Sequence, residues 1–215
     1  MSSAVHFDPK EARQPAAGET YADYLDSFGL FNGTGFVYRE IVRNSPRHQL
    51  PVTRWEWARM VPTLMLAIEL RDRMICAGAS GLVVRAAHRP EGGEPDSQHK
   101  HNSALDLDLL TSDIESQPSL PFEFAAIASV LWHEHKHLRC GLGTYAPDGK
   151  TWTRRVHLDT VSKHGRRCWQ GIGVNDQGKA LFAKRPAALG LAQFAEDDPA
   201  VRACIADGRP RIEGP

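Results

Sequence analysis

The sequence has no excess charge of either sign and few cysteine residues. Its 26 lysine and arginine residues balance 26 aspartate and glutamate residues, so there is no electrostatic argument for binding nucleic acid or an anionic membrane. The four cysteines, Cys76, Cys140, Cys168 and Cys204, form no C-x-x-C pair, which argues against a structural zinc knuckle. We expect them to be reduced and buried, and disulfides remain the alternative because their number is even.

Long apolar stretches are also missing. The sequence contains no run of about 18 apolar residues, so we expect no membrane span. The segment Met1–Pro9 lacks a basic start followed by an apolar core, which argues against a signal peptide. We therefore expect synthesis in the cytoplasm.

The remaining composition is that of a globular protein. The 215 residues are 41% hydrophobic and 24% charged, which is enough for one domain with a buried core. We predict a flexible arm over residues 1–20, a main domain over residues 21–169 and an extension over residues 170–215. The sequence assigns no role to the extension and does not indicate an oligomeric state.

The predicted elements do not alternate regularly between strand and helix. An apolar segment before Cys76 predicts a helix, in which Pro62 marks either a kink or a new start and Gly78 marks the end. The patterns then predict strands over Leu82–Ala86 and Leu105–Leu109, a helix over Pro121–His137 and two later strands. This order predicts an α+β fold with an antiparallel sheet.

Two distant segments carry the residue types that bind metals. Ser97–Asp106 and His157–Asp159 together offer two imidazoles and a carboxylate, from His99, Asp106 and His157. Catalytic zinc sites use three protein ligands of these types and leave a fourth position to water. Zinc lowers the pKa of that water from about 15.7 to about 7, which makes a hydroxide nucleophile at neutral pH.

The residues around Asp106 alternate in hydrophobicity. Leucines and aspartates take turns over residues 105–109, which predicts a strand with Asp106 and Asp108 on the same side. A strand that directs two carboxylates to one place fits a metal site. The alternative is the solvated face of an edge strand.

Together these segments resemble a known enzyme family. The pattern Ser-x-His-x-x-x-x-Ala-x-Asp, followed by His-x-Asp, resembles the zinc D-alanyl-D-alanine carboxypeptidases and murein endopeptidases, which share a core with the hedgehog signalling domain. Further similarity lies in Leu82–Pro90, Gly141–Tyr145, Val156–Thr160 and the Arg167-Cys168-Trp169 ending. The resemblance covers about residues 36–169, and its specificity lies in the combination of motifs rather than in any single one.

The resemblance implies a small antiparallel sheet flanked by helices, with zinc in a cleft on the sheet face. It implies one zinc ion per chain, held by His99, Asp106 and His157, and hydrolysis of peptide bonds in peptidoglycan. Arg89 matches the family arginine that binds a substrate carboxylate or polarises the scissile carbonyl, and a surface arginine is the alternative. Ser97 is expected either to bind substrate or to cap the turn that presents His99.

Two departures from the family pattern affect the expected mechanism. Asn102 replaces a glycine found in many members, but asparagine tolerates a left-handed backbone. Many members also carry a glutamate shortly before the last zinc histidine, and Thr153-Arg154-Arg155-Val156 offers no carboxylate there. Asp159 shares a strand face with His157, so we expect it to be the general base, or alternatively to orient a ligand histidine.

A second metal motif also occurs in the sequence. His133-Glu134-His135-Lys136-His137 fits H-E-x-x-H, in which two histidines share a helix face and the glutamate is the base. The motif ends a predicted amphipathic helix, where histidine and lysine are favoured by the helix dipole. We therefore interpret it as a helix end rather than a zinc site.

Several functional alternatives remain open. The ligands do not distinguish a carboxypeptidase from an endopeptidase. The missing glutamate also fits a non-catalytic zinc module of the hedgehog type, used for binding, and a phage structural protein that kept only the fold is a further alternative. Without a signal peptide, an enzyme acting on the cell wall would need another route to it, such as phage-mediated lysis or delivery in a virion.

Overall fold

The computed structural model describes the central part of the chain. The described residues are 36, 54–91, 95–146, 152–160, 165–174, 176–177 and 180–183. The predicted arm over residues 1–20 lies outside them, as does most of the predicted extension after residue 169.

Six strands form one sheet in the described part of the chain. They are β1 Leu82–Ala86, β2 Ala104–Leu109, β3 Gly141–Tyr145, β4 Arg155–Asp159, β5 Arg167–Val174 and β6 Ala180–Ala183. Their order in the sheet is β1-β2-β4-β3-β5-β6. Neighbouring strands are antiparallel except β3 and β5, which are parallel.

The α+β class is confirmed, but the prediction of a small antiparallel sheet is wrong. The sheet has six strands and is mixed. The chain reverses direction from β3 to β4 and again from β4 to β5, and β5 then lies on the far side of β3. Two reversals give β5 the direction of β3, so this one pair is parallel. The domain boundary predicted at residue 169 falls inside β5.

Within the described ranges, three α-helices accompany the sheet: α1 Arg54–Cys76, α2 Thr111–Ser116 and α3 Leu120–Glu134. Helix α1 continues through Pro62, so no new helix starts there. It ends where predicted, because Gly78 has a φ of 100°, which a residue without a Cβ adopts at little cost. The Ala79 amide then donates a hydrogen bond to the Met74 carbonyl at 2.9 Å.

The two faces of the sheet differ in polarity. Leu105, Leu107 and Leu109 are at most 1% exposed and belong to the core, on the face that packs against α1 and α3. Because side chains alternate along a strand, Asp106 and Asp108 lie on the opposite face. The predicted strand and its shared aspartate face are therefore confirmed.

Helix α3 is shorter than predicted. It ends at Glu134, before the predicted end at His137, and the Trp132 indole N–H donates a hydrogen bond to the Cys140 carbonyl at 3.1 Å. The chain after Glu134 therefore turns back toward β3. In the parts of the chain with assigned structure, no helix is both long and apolar enough to cross a membrane.

Candidate metal centre

Strand pairing brings together two residues that are far apart in sequence. Asp106 on β2 and His157 on β4 are register partners. Because directly opposite residues on paired strands lie on one face, the carboxylate Oδ1 of Asp106 lies 2.8 Å from Nδ1 of His157. The sheet therefore assembles two of the three predicted ligands.

A short 3-10 turn over Gln98–His101, just before β2, supplies His99. Asn102 ends this turn in the left-handed conformation, with φ 49° and ψ 46°, as the sequence predicted. The His99 ring faces the His157 ring edge-on, with centroids 5.0 Å apart. Nε2 of His99 lies 3.3 Å from Oδ1 of Asp106.

The backbone fixes which nitrogen of His99 is free. Nδ1 of His99 lies 2.6 Å from the carbonyl oxygen of Ala87, and a carbonyl can only accept a hydrogen bond. Nδ1 therefore donates to this carbonyl, and Nε2, on the side of Asp106, is the nitrogen available to bind a metal. This arrangement is the usual one for a histidine that binds a metal through one nitrogen.

Asp159 contacts the other nitrogen of His157 in a corresponding way. Its Oδ2 lies 3.0 Å from Nε2 of His157 and accepts a hydrogen bond from Nη2 of Arg167 at 2.8 Å. The Asp159 side chain is fully buried. Gly141 faces it across the sheet, and a Cβ at residue 141 would lie 2.3 Å from Asp159 Oδ2.

The three predicted ligands form a group suited to a metal. One donor atom from each of His99, Asp106 and His157 lies within 4.8 Å of the other two, and in the described part of the chain this is the one such group of histidine, cysteine and acidic residues. Ligands about 2.0–2.1 Å from a tetrahedral zinc lie roughly 3.4 Å apart. The donor types therefore suit a metal ion, and their separations, which run from 2.8 Å up to at most 4.8 Å, would have to even out around a tetrahedral one.

The charges at this site are strongly coupled. Burial disfavours the charged form of Asp106, but His99 and His157 hold the pKa of its carboxyl well below the ordinary value of 3.8. Burial also disfavours protonation of His157, but hydrogen bonds to Asp106 and Asp159 raise the pKa of its imidazole to about 9. Because metal ligands must be deprotonated, a metal would displace this proton when it binds.

Trp169 forms a wall of the site. Its indole lies over Gly143, the register partner of His157, and a Cβ at residue 143 would lie 2.6 Å from the indole. The His157 and Trp169 rings are 5.0 Å apart. The family resemblance included Trp169, but no role was predicted for it, because only the sheet register places it beside His157.

Arg89 and Ser97 lie near His99 along the chain. The Arg89 amide donates a hydrogen bond to the His99 carbonyl at 2.9 Å, and the buried Nε of the Arg89 guanidinium has no hydrogen-bond partner. Ser97 precedes the 3-10 turn, but its side chain makes no capping hydrogen bond. The capping alternative for Ser97 is therefore wrong.

Two further residues on this face, Arg155 and Tyr145, were assigned no role from the sequence. Arg155 donates to both carboxylate oxygens of Asp108, at 2.7 and 2.9 Å, and this pairing raises the pKa of Arg155. Tyr145 lies over Gly171 of β5, and burial and the Asp106 carboxylate raise the pKa of its phenol. Alternation along β2 already placed Asp108 on this face, but its arginine partner depends on the register between β2 and β4.

The second metal motif does not form a metal site. Of its residues, His133 and Glu134 lie in α3, whereas His137 lies beyond the helix end, so the two histidines do not share a helix face. Glu134 instead pairs with Arg73 of α1 at 2.5 Å. Nε2 of His135, the middle residue of the motif, lies 3.0 Å from Oε2 of Glu69 on α1. The cluster joins α3 to α1, in agreement with its interpretation as a helix end.

Comparisons with known proteins do not assign this chain to a family. No protein-family description, no curated protein and no solved structure matches it.

Proposed function

We propose that this protein is a zinc-dependent peptidase in which His99, Asp106 and His157 hold the metal. The observation that carries the proposal is the convergence of these three donors, with both imidazoles already oriented by other groups. When bound with an open position, zinc supplies a Lewis acid and a water of lowered pKa.

The contacts of Asp159 bear on its proposed role. Because this carboxylate is fully buried and contacts both His157 and Arg167, we propose that it orients His157. The sequence slightly favoured a general base, which must reach the water that it deprotonates. Its burial and two existing partners support the orienting role instead.

Arg89 is the proposed electrophilic group. Its buried Nε lacks a hydrogen-bond partner, and an unpaired buried donor is costly unless a ligand uses it. An arginine near the metal ligands suits a scissile carbonyl or a substrate carboxylate. This observation supports a substrate contact over the alternative of an ordinary surface arginine.

The proposed substrate is a stem or cross-link peptide of peptidoglycan. Its support is the resemblance of the Ser97–Asp106 and His157–Asp159 segments to zinc carboxypeptidases and murein endopeptidases. We propose Ser97, which makes no capping contact, as a second substrate contact.

A non-catalytic zinc module that binds a partner is the second candidate. The observation that favours it is the absence of a carboxylate from Thr153 to Val156, together with the burial of Asp159. In this case the metal group would be structural or would bind a ligand without turnover.

Metal analysis combined with digestion of murein tests these proposals. Purified full-length protein should contain about one zinc per chain, and incubation with purified murein and with D-Ala-terminated peptides should release products detectable by mass spectrometry. Stoichiometric zinc without any product would favour the binding module. Absence of zinc after metal supplementation would contradict both candidates and leave the structural alternative.

A further inference from the structure

A cleft separate from the proposed metal ligands lies on the same face of the sheet. Its volume is about 160 Å³, and its lining residues come from β1, from the end of β2 with the residues that follow, and from the residue before β4. They are Val83, Arg85, Asp108, Leu109, Leu110, Thr111 and Arg154. None of the proposed metal ligands lines it.

The cleft has an excess of positive charge. Of its lining residues, Arg85 and Arg154 are cationic and Asp108 is anionic. Asp108 is already engaged, because Arg155 binds both of its carboxylate oxygens at 2.7 and 2.9 Å. The single carboxylate of Asp108 is therefore outnumbered by the guanidinium groups of Arg85, Arg154 and Arg155. The net charge of these four side chains is positive.

Arg85 supplies an uncommitted cation. The pairing of β1 with β2 is irregular between Val84 and Ala86, and such a bulge redirects the side chain of the extra residue. Arg85 is exposed and makes no hydrogen bond or ion pair with the residues that the structure describes. Because charged side chains without a partner are available to a ligand, Arg85 is suited to bind an anion.

Arg154 is held in place at the other side of the cleft. Its Nη1 donates a hydrogen bond to Thr111 Oγ1 at 2.7 Å, and its Nε lies 3.5 Å from Asp108 Oδ2. The side chain nevertheless remains 45% exposed. A guanidinium has five N–H donors, so Arg154 keeps donors for a ligand while its position is fixed.

The spacing between the two sites matches a peptide. Asp108 and Asp106 are two residues apart on one strand face, or about 7 Å. An extended peptide spans about 3.3–3.6 Å per residue. A peptide with a bond at the metal group would therefore place a group about two residues away in the cleft.

We propose that this cleft is a subsite for a free carboxylate of the peptide, bound by Arg85 and Arg154. The inference rests on the proposed function only for the class of ligand, a peptide. At this spacing the carboxylate is either the terminal one, two residues beyond the bond at the metal group, or one inside a stem peptide, two residues before that bond. Both present the same planar anion, which suits the guanidinium fork.

Equilibrium binding tests the proposal independently of catalysis. The probes are diacetyl-Lys-D-Ala-D-Ala and its C-terminal amide, titrated into the full-length protein with and without added zinc. The free acid should bind at least about tenfold more tightly than the amide, as expected for hydrogen bonds to a charged group. Arg85→Ala should bring the two affinities together, and Arg85→Lys should retain part of the difference.

Arg59→Ala is the matched control, because Arg59 is exposed on α1, which packs on the other face of the sheet. It should leave the difference between acid and amide unchanged. Arg154→Ala is the less direct variant, since it also breaks the hydrogen bond to Thr111, whereas Arg85 has no hydrogen bond or ion pair to lose within the described part of the chain. The proposal would be overturned if acid and amide bound equally, and Arg85→Ala weakened neither, both in this pair of probes and in the pair of stem pentapeptides that follows.

A further pair of probes identifies which carboxylate is bound. The stem pentapeptide L-Ala-γ-D-Glu-L-Lys-D-Ala-D-Ala is compared with the same peptide amidated at the glutamate α-carboxylate. If Arg85→Ala weakens only the non-amidated peptide, the subsite takes the internal carboxylate. If the free carboxylate still binds more tightly than the amide but no peptide is hydrolysed, the peptidase proposal is rejected and the subsite is kept. If peptide is hydrolysed but acid and amide bind equally, the subsite is rejected and the peptidase proposal is kept.

Discussion

Asp106 and His157 are direct register partners on antiparallel strands, and Asp106 Oδ1 lies 2.8 Å from His157 Nδ1. The site therefore depends on the register between β2 and β4, because a shift of one residue would turn His157 to the other face. The same register places Arg155 beside Asp108 and Asp159 beside Ala104. The pairing of β2 with β4 therefore brings Asp106 to His157 and also Asp108 to Arg155.

Removing a proposed ligand should remove the metal. We expect His157→Ala to lower zinc from about one per chain to near zero, because two remaining ligands are too few for a stable zinc site. His133→Ala is the matched control, since His133 lies on α3, away from the metal group. Zinc content is measured by elemental analysis after dialysis. Zinc lost from His133→Ala but kept in His157→Ala would show that the second motif is the site.

Substitution of Asp159 should distinguish an orienting group from a general base. If Asp159 orients His157, Asp159→Asn should weaken zinc binding about 10–100-fold, and added zinc should restore activity. Loss of a base would instead lower the rate about 10²–10⁴-fold at saturating zinc. Titration with zinc, followed by peptide hydrolysis at saturation, separates the two. We expect the first result, because Asp159 is fully buried against His157.

Arg89→Ala should leave zinc content and folding unchanged and reduce turnover. Loss of one group that stabilises a developing oxyanion typically costs about 10²–10³ in rate, and Arg89 Nε has no hydrogen-bond partner among the described residues to lose. Steady-state kinetics on murein peptides provide the measurement, with Arg59→Ala as the control for loss of a surface charge. Unchanged kinetics on every peptide would make Arg89 an ordinary surface residue.

Local patterns predicted the residues of the site better than they predicted the sheet. Alternation over β2 placed Asp106 and Asp108 on one face, and the left-handed Asn102 followed from the tolerance of asparagine for that conformation. The mixed sheet could not be predicted, because the place of β5 beside β3 depends on long-range pairing. The end of α3 at Glu134 was missed for a similar reason, since contacts of Glu134 and His135 with α1 hold that segment.

The side chains that lie against Gly141 and Gly143 could not be predicted from the sequence either. Gly141 and Gly143 read only as part of a family-like segment, yet they make room for Asp159 and Trp169. This role appears only when β3 is placed between β4 and β5.

Gly141→Ala should therefore disturb the site from a neighbouring strand. The new Cβ would lie 2.3 Å from Asp159 Oδ2, so the carboxylate or the strand must move. We expect a loss of about 1–3 kcal/mol in the free energy of unfolding, as for other overpacked positions, and weaker zinc binding. Gly81→Ala is the control, because nothing lies within 4 Å of a Cβ there. Denaturant unfolding that gives equal stability for the two variants would contradict the close packing.

The acid stability of the fold should depend on the contact between α1 and the end of α3. Burial opposes ionisation of Glu69, but hydrogen bonds and charge from His135 and Arg73 lower the pKa of its carboxyl below the ordinary value of 4.5. A carboxyl with a lowered pKa in the folded state stabilises the fold above its unfolded pKa and loses this contribution as the pH falls through the folded value.

Glu69→Gln should therefore destabilise the protein most at neutral pH. The difference in unfolding free energy between the unmodified protein and this variant should shrink as the pH falls below about 4.5, because protonation of Glu69 removes the same charge. Denaturant unfolding at several pH values measures this difference, with Glu115→Gln on the exposed side of α2 as the control for loss of a carboxylate. A difference that stays constant from neutral to acidic pH would mean that the charge of Glu69 does not stabilise the contact between α1 and α3.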